Sequence, residues 1–147
     1  MSARRLPDAH WPPGWGPEWC DSFVSHERYV SARIVDAFVR LAAVGDWPSW
    51  QQGVDRVEAA GVPAVGRPFV VVAAARTFDA FVGEFASPNR FGWAGVSEGL
   101  SFYQAWVLQA EPRGGTWIGF QEAARGPLAL LQAASRAELT RRWCEAL

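Results

Sequence analysis

Four polar side chains in the second half of the chain have types suited to orienting or protonating a small molecule: Arg76, Tyr103, Gln104 and Glu122. Two of them are tied together by spacing. Leu100–Ala110 and Thr116–Ala124 alternate like strands, and Glu111-Pro112-Arg113-Gly114-Gly115 between them reads as a hairpin loop. A five-residue loop sets Gln104 opposite Glu122 and Trp106 opposite Phe120. A slip of one residue would turn all four to the other face. A glutamine beside a glutamate on an apolar face could hold a ligand hydroxyl or carbonyl. Buried, Glu122 would keep its proton to higher pH and could act as a general acid; at the rim of the sheet it would be solvated and inert. Tyr103 is the second catalytic candidate.

Other signatures are missing. The chain has no phosphate loop, no dinucleotide glycine motif, no nucleophile elbow and no metal-spaced His or Cys cluster, so neither a metal nor a cofactor is expected. Of the two histidines, His10 lies in a Pro/Trp-rich leader. His26 lies in a strand with Glu27 on its opposite face, a pattern more typical of a structural than of a catalytic histidine. Cys20 and Cys144 are expected as reduced thiols.

The elements that must position these groups can be read in order. Asp21–Val30 alternates as a first strand. Ser31 is a plausible cap for a helix with Ile34, Phe38, Leu41 and Ala42 as its apolar stripe, which Gly45 stops. Asp46 precedes a short second helix, Trp47 to Gln52. Strands follow at Val54–Ala59, Arg67–Ala74, Phe78–Phe85 and Arg90–Val96, with a turn at Ala75–Thr77. Gly92 and Gly95 interrupt the last of these, as glycines do at bulges, bends or close approaches. After the hairpin, Gly126-Pro127 opens a C-terminal helix. Leu130, Leu131 and Ala134 point one way along it, and Leu139, Trp143 and Leu147 another. With the capping-box pattern Ser135-Arg136-Ala137-Glu138, this predicts a kink or restart near Ser135.

The whole is an α+β layout: about seven antiparallel strands curled around a long C-terminal helix, in the order β-α-α-β-β-β-β-β-β-α. Residues 1–20 form an arm and 21–147 a single domain. In the arm, Trp11, Trp15 and Trp19 are separated by Pro12, Pro13 and Pro17, which exclude a helix. The indoles either seal grooves of the domain or serve as a lid or docking arm.

At 147 residues, 50% hydrophobic and a net charge of -1, the composition suits one globular domain and gives no electrostatic case for nucleic acid or an anionic membrane. No apolar run reaches the roughly 20 residues of a membrane span, and no apolar run follows Arg4 and Arg5. A cytoplasmic location is expected. The unusual feature is aromatic content of 14% with nine tryptophans, which suits a lined cavity as well as a core.

With these marks in place, Ser22–Leu147 resembles the START-like, or SRPBCC, helix-grip domains, in their polyketide cyclase/dehydrase-like branch. The resemblance rests on Asp46-Trp47-Pro48-Ser49-Trp50, Gly66, Glu84-Phe85 with Arg90-Phe91-Gly92-Trp93, Ala105-Trp106-Val107-Leu108, Gly114-Gly115-Thr116 and Glu122 before Gly126-Pro127. Trp11-Pro12-Pro13-Gly14 is similar to the leader of a bacterial branch in which the position of Gln104 is often His. Glutamine cannot titrate, which removes a general-acid role there. The resemblance implies a seven-stranded curved sheet gripping the C-terminal helix, with an apolar pocket between.

The expected function is therefore binding or carriage of a hydrophobic small molecule, such as a polyketide, lipid or aromatic metabolite. Trp50, Phe69, Arg76, Trp93, Tyr103, Gln104, Trp106, Phe120 and Glu122 are its expected contacts. The alternatives are a cyclase, aromatase or dehydratase using Glu122 or Tyr103, and an interaction domain that meets a protein partner through the tryptophan arm.

Overall fold

A computed structural model describes residues 6–51 and 53–147, apart from the side chain of Ser135. Residues 1–5 of the expected arm, with Arg4 and Arg5, and Gln52 of the expected second helix lie outside the described residues. Seven antiparallel strands form one sheet in the order β1-β7-β6-β5-β4-β3-β2. They are β1 (Ser22–Val30), β2 (Val54–Ala59), β3 (Pro68–Ala73), β4 (Arg76–Ala86), β5 (Arg90–Ser97), β6 (Leu100–Ala110) and β7 (Thr116–Arg125). Helices α1 (Ile34–Ala42) and α2 (Trp47–Trp50) connect β1 to β2, and α3 (Pro127–Leu131) and α4 (Ala133–Ala146) follow β7. This is the expected α+β helix-grip layout.

The central hairpin has the register implied by its loop: Gln104 pairs with Glu122 and Trp106 with Phe120. The β3–β4 turn sits earlier than expected, at Ala74 and Ala75, whose φ angles are 51° and 62°. Two left-handed residues make the tight hairpin turn that matches strand twist, usually with Asn or Gly in those places. Strand β4 therefore restarts at Arg76.

The C-terminal helix is interrupted at Gln132 and restarts at Ala133, two residues before Ser135, close to the expected kink. Gln132 has φ -107° and ψ 22°, outside helical values, and Ser135 lies inside α4. The capping-box pattern is spent within a continuing helix. The break separates the two stripes: α4 buries Trp143 and Cys144, while Leu130 and Leu131 of α3 are 66% and 79% exposed.

The core lies between the sheet and the helices. Phe69, Val71, Phe78, Ala80, Val82, Phe91, Trp93, Phe102, Trp106, Leu108, Ile118 and Phe120 face Phe38 and Leu41 of α1, Trp47 of α2 and Trp143 of α4. The Trp47 ring centroid is 4.8 Å from that of Trp93 and 5.1 Å from that of Trp143. Its indole N–H donates to the carbonyl of Leu41 at 2.9 Å, so this buried donor is satisfied. Rings of this size dominate the apolar area removed from water.

The other face of the sheet is covered by the arm. Trp11 and Trp15 pack on Tyr103, with centroids 5.8 and 6.4 Å away, and Trp15 meets Phe81 edge-on at 6.0 Å. The guanidinium of Arg125 lies 4.4 Å from the Trp15 ring and donates to the carbonyl of Gly14. Arg90 donates to the carbonyl of Asp8, and His10 pairs with Glu84 at 2.7 Å. Trp19 alone of the three arm tryptophans is largely exposed.

Candidate functional site

The polar centre of the molecule sits where β6 and β7 meet α4. Because side chains alternate along a strand, Gln104, Trp106, Phe120 and Glu122 all face the helices. Trp106 and Phe120 stack with centroids 4.0 Å apart and planes at 22°. Gln104 accepts a hydrogen bond of 2.8 Å from the Trp93 indole on its cross-strand partner. Glu122 is 1% exposed and accepts from the guanidinium of Arg136, which descends from α4 onto it. Arg136 also lies over the Phe102 ring at 4.8 Å. Thr140, one helical turn later, shares a hydrogen bond of 3.1 Å with His26 of β1 and donates to the carbonyl of Arg136. His26 is thus a tie between β1 and α4.

Burial pushes the Glu122 carboxyl above its ordinary value, and the charge and hydrogen bond of Arg136 pull the other way. The pair also has hydrogen-bonding capacity left over. Glu122 Oε2, Arg136 Nε and Trp106 Nε1 are buried and have no partner among the described residues. Buried polar atoms are rarely left so, and the two on the Glu122–Arg136 pair give it capacity for another polar group.

The expected contact residues divide between the two faces of the sheet. Trp93, Gln104, Trp106, Phe120 and Glu122 come together as described. Phe69 joins them through Trp93, 5.9 Å between centroids. Trp50 packs edge-on against Trp143 at 5.7 Å under the guanidinium of Arg40. Arg76 lies at the margin, donating to Ser97 and to the carbonyl of Glu98 in the β5–β6 turn.

Tyr103 does not belong to this group. It faces the arm, on the opposite side of the sheet from Gln104 and Glu122, and packs with Ala94, Ala105, Trp11 and Trp15. Its ring lies over Gly83 and Gly92, where side chains would leave it no room. Burial pushes its phenol well above the ordinary tyrosine value, and Glu84 adds to the effect. Tyr103 is therefore removed as a catalytic candidate for chemistry between sheet and helix.

The interior between sheet and α4 is filled by its own side chains: Trp47, Trp93, Trp106, Phe102 and Trp143 are each no more than 3% exposed. Cavities occur at its margins. One of about 520 Å³ is lined by Ala74, Gln132, Ala134, Arg136, Glu138, Leu139 and Arg142, beside the α3–α4 break. A more open groove of about 780 Å³ runs along Val57–Ala60, Pro68–Val70, Asp79 and Ala80.

Arg136 is the site residue that sequence reading missed. The signal was present: Arg136, Thr140, Trp143 and Leu147 fall at helical spacing, and a glutamate on an otherwise apolar strand face calls for a cation. Among the described residues no group of His, Cys, Asp and Glu could hold a metal ion, and no helix is long and apolar enough to cross a membrane.

No family model matches the sequence, and no curated protein is similar to it at a significant level. Solved structures are similar. A hypothetical protein from Helicobacter pylori superposes with a TM-score of 0.86 at 20% identity, covering 99% of this chain and 96% of that one, the arm included. A START superfamily protein from Mycobacterium smegmatis gives 0.66 at 12% identity, covering 84% and 94%. The di-domain ARO/CYC BexL of the BE-7585A biosynthetic pathway gives 0.66 at 15% identity, covering 85% of this chain and 44% of that one. The chain has the START-like, SRPBCC helix-grip fold.

Proposed function

We propose that this protein binds or carries an apolar small molecule between the sheet and α4, with a polar head group at Glu122, Arg136 and Trp106. The observation that carries the reading is the unpartnered capacity of the buried ion pair, Glu122 Oε2 and Arg136 Nε, with Trp106 Nε1 also unpartnered on the same face of the sheet. The Phe102 ring lies under the Arg136 guanidinium and Phe120 stacks on Trp106, apolar surfaces that suit a flat or aliphatic body. Because the space between sheet and α4 is filled by side chains, entry requires α4 to move outward about the break at Gln132. The fold supports the reading, since the similar structures include a START superfamily protein and the di-domain ARO/CYC BexL. Packing of Trp11 and Trp15 on their own sheet weighs against the arm as a free protein-docking element.

Native mass spectrometry of protein purified from its own host, followed by denaturing extraction, tests this. A co-purifying small apolar molecule is the expected result. A second protein at fixed stoichiometry, with no small molecule, would replace the carrier reading by an interaction domain.

A second reading is an acid-catalysed cyclisation or dehydration of such a ligand. Burial of the Glu122 carboxyl favours its protonated form, which a general acid needs. Turnover of an extracted ligand that disappears in Glu122→Gln while binding persists would select it.

A further inference from the structure

The cavity beside the α3–α4 break and the buried pair share one residue. Arg136 lines the cavity of about 520 Å³, yet its guanidinium reaches Glu122 in the core, and its side chain is only 10% exposed. It is the point where the cavity meets the sealed interior. Its Nε is a buried donor without a partner among the described residues.

The second cation of the cavity is Arg142, one and a half turns further along α4. Its Nε donates to Glu138 at 3.2 Å, but Glu138 is also held by Arg141 through two hydrogen bonds. The Glu138 carboxylate is thus shared between two arginines, Arg141 and Arg142, through three hydrogen bonds. Of the remaining walls, Ala74, Ala134 and Leu139 are apolar and Gln132 is polar and uncharged.

We propose that the head group taken at this site is a carboxylate, received by Arg136 with help from Arg142, its apolar body passing toward Trp93 and Trp106. The inference rests on the binding reading above and adds the chemical class of ligand. A planar guanidinium with a free N–H edge matches a carboxylate better than a hydroxyl or a carbonyl, because charge-assisted, forked hydrogen bonds are the stronger kind. An incoming carboxylate competes with Glu122 for the guanidinium of Arg136, whose Nε is still unpartnered among the described residues.

The test compares dodecanoate, methyl dodecanoate and dodecanol on the full chain, by calorimetry or quenching of tryptophan fluorescence. The acid is expected to bind about tenfold or more tighter than the ester. Glu122→Gln should raise that ratio by freeing Arg136, and Arg142→Gln should lower it. Arg136→Gln alone risks misfolding by stranding Glu122, so the ratio is also read in the Glu122→Gln/Arg136→Gln double variant, where it should collapse to about one. Equal binding of acid and ester in the wild type, or a ratio that survives in the double variant, overturns the carboxylate assignment and leaves the binding reading standing. Binding of none of the three overturns both.

Discussion

Glu122 on β7 and Arg136 on α4 form an ion pair in the centre of the molecule, with side chains 1% and 10% exposed. A pair this deep costs much desolvation and contributes little net stability, but breaking it strands a charge. Arg136→Gln should therefore destabilise the fold by about 3 kcal/mol or more, and adding Glu122→Gln should restore most of the loss. Urea unfolding midpoints of the two single variants and the double variant measure this. Independent, additive effects would contradict the coupling.

Tyr103 is locked on the opposite face by the glycines beneath it. A Cβ at Gly83 would lie 2.6 Å from the Tyr103 hydroxyl. Gly83 is the extra residue of a bulge between β4 and β5, which places its backbone under the ring. Gly83→Ala should cost about 1–3 kcal/mol, and little in a Tyr103→Ala background. A double-mutant cycle with no interaction energy would mean that the ring is not what requires glycine.

The Ala74–Ala75 turn pays for two left-handed alanines with φ of 51° and 62°. Each costs about 1 kcal/mol relative to a residue that tolerates this region. Ala74→Asn with Ala75→Gly should stabilise the protein by about 1 kcal/mol, seen as a rise in melting temperature. Unchanged or lower stability would show a different turn in solution.

Cys144 is buried, and burial pushes its thiol up to about 11 from an ordinary 9.0. The unfolded chain therefore releases this proton at lower pH than the folded one. Between about pH 9 and 11 the unfolded state binds fewer protons, so stability falls as pH rises. Cys144→Ala should flatten that part of the stability profile. At pH 8 the native thiol should resist iodoacetamide and become reactive on unfolding. Fast labelling of native Cys144 would contradict its burial.

Much of this architecture was legible in the residues. The hairpin loop fixed the Gln104–Glu122 register because five residues leave few ways to close it. The face of Tyr103 was not legible, because β6 is apolar on both sides and alternation could not say which side meets the helices. The arm explains that apolarity: Trp11 and Trp15 bury what would otherwise be a wet face. Arg136 was hidden inside a capping pattern. The helix breaks three residues before that pattern, at Gln132, a residue with no breaking chemistry of its own.

The most direct test of the central claim is photolabelling with a diazirine-bearing long-chain carboxylic acid, followed by peptide mapping. The account predicts adducts on the β6 and β7 residues around Trp106 and Phe120 and on α4 around Arg136, competed by unlabelled dodecanoate. Adducts confined to the outer groove at Val57–Ala60 and Pro68–Val70, or none that unlabelled acid competes, would contradict a binding site between the sheet and α4.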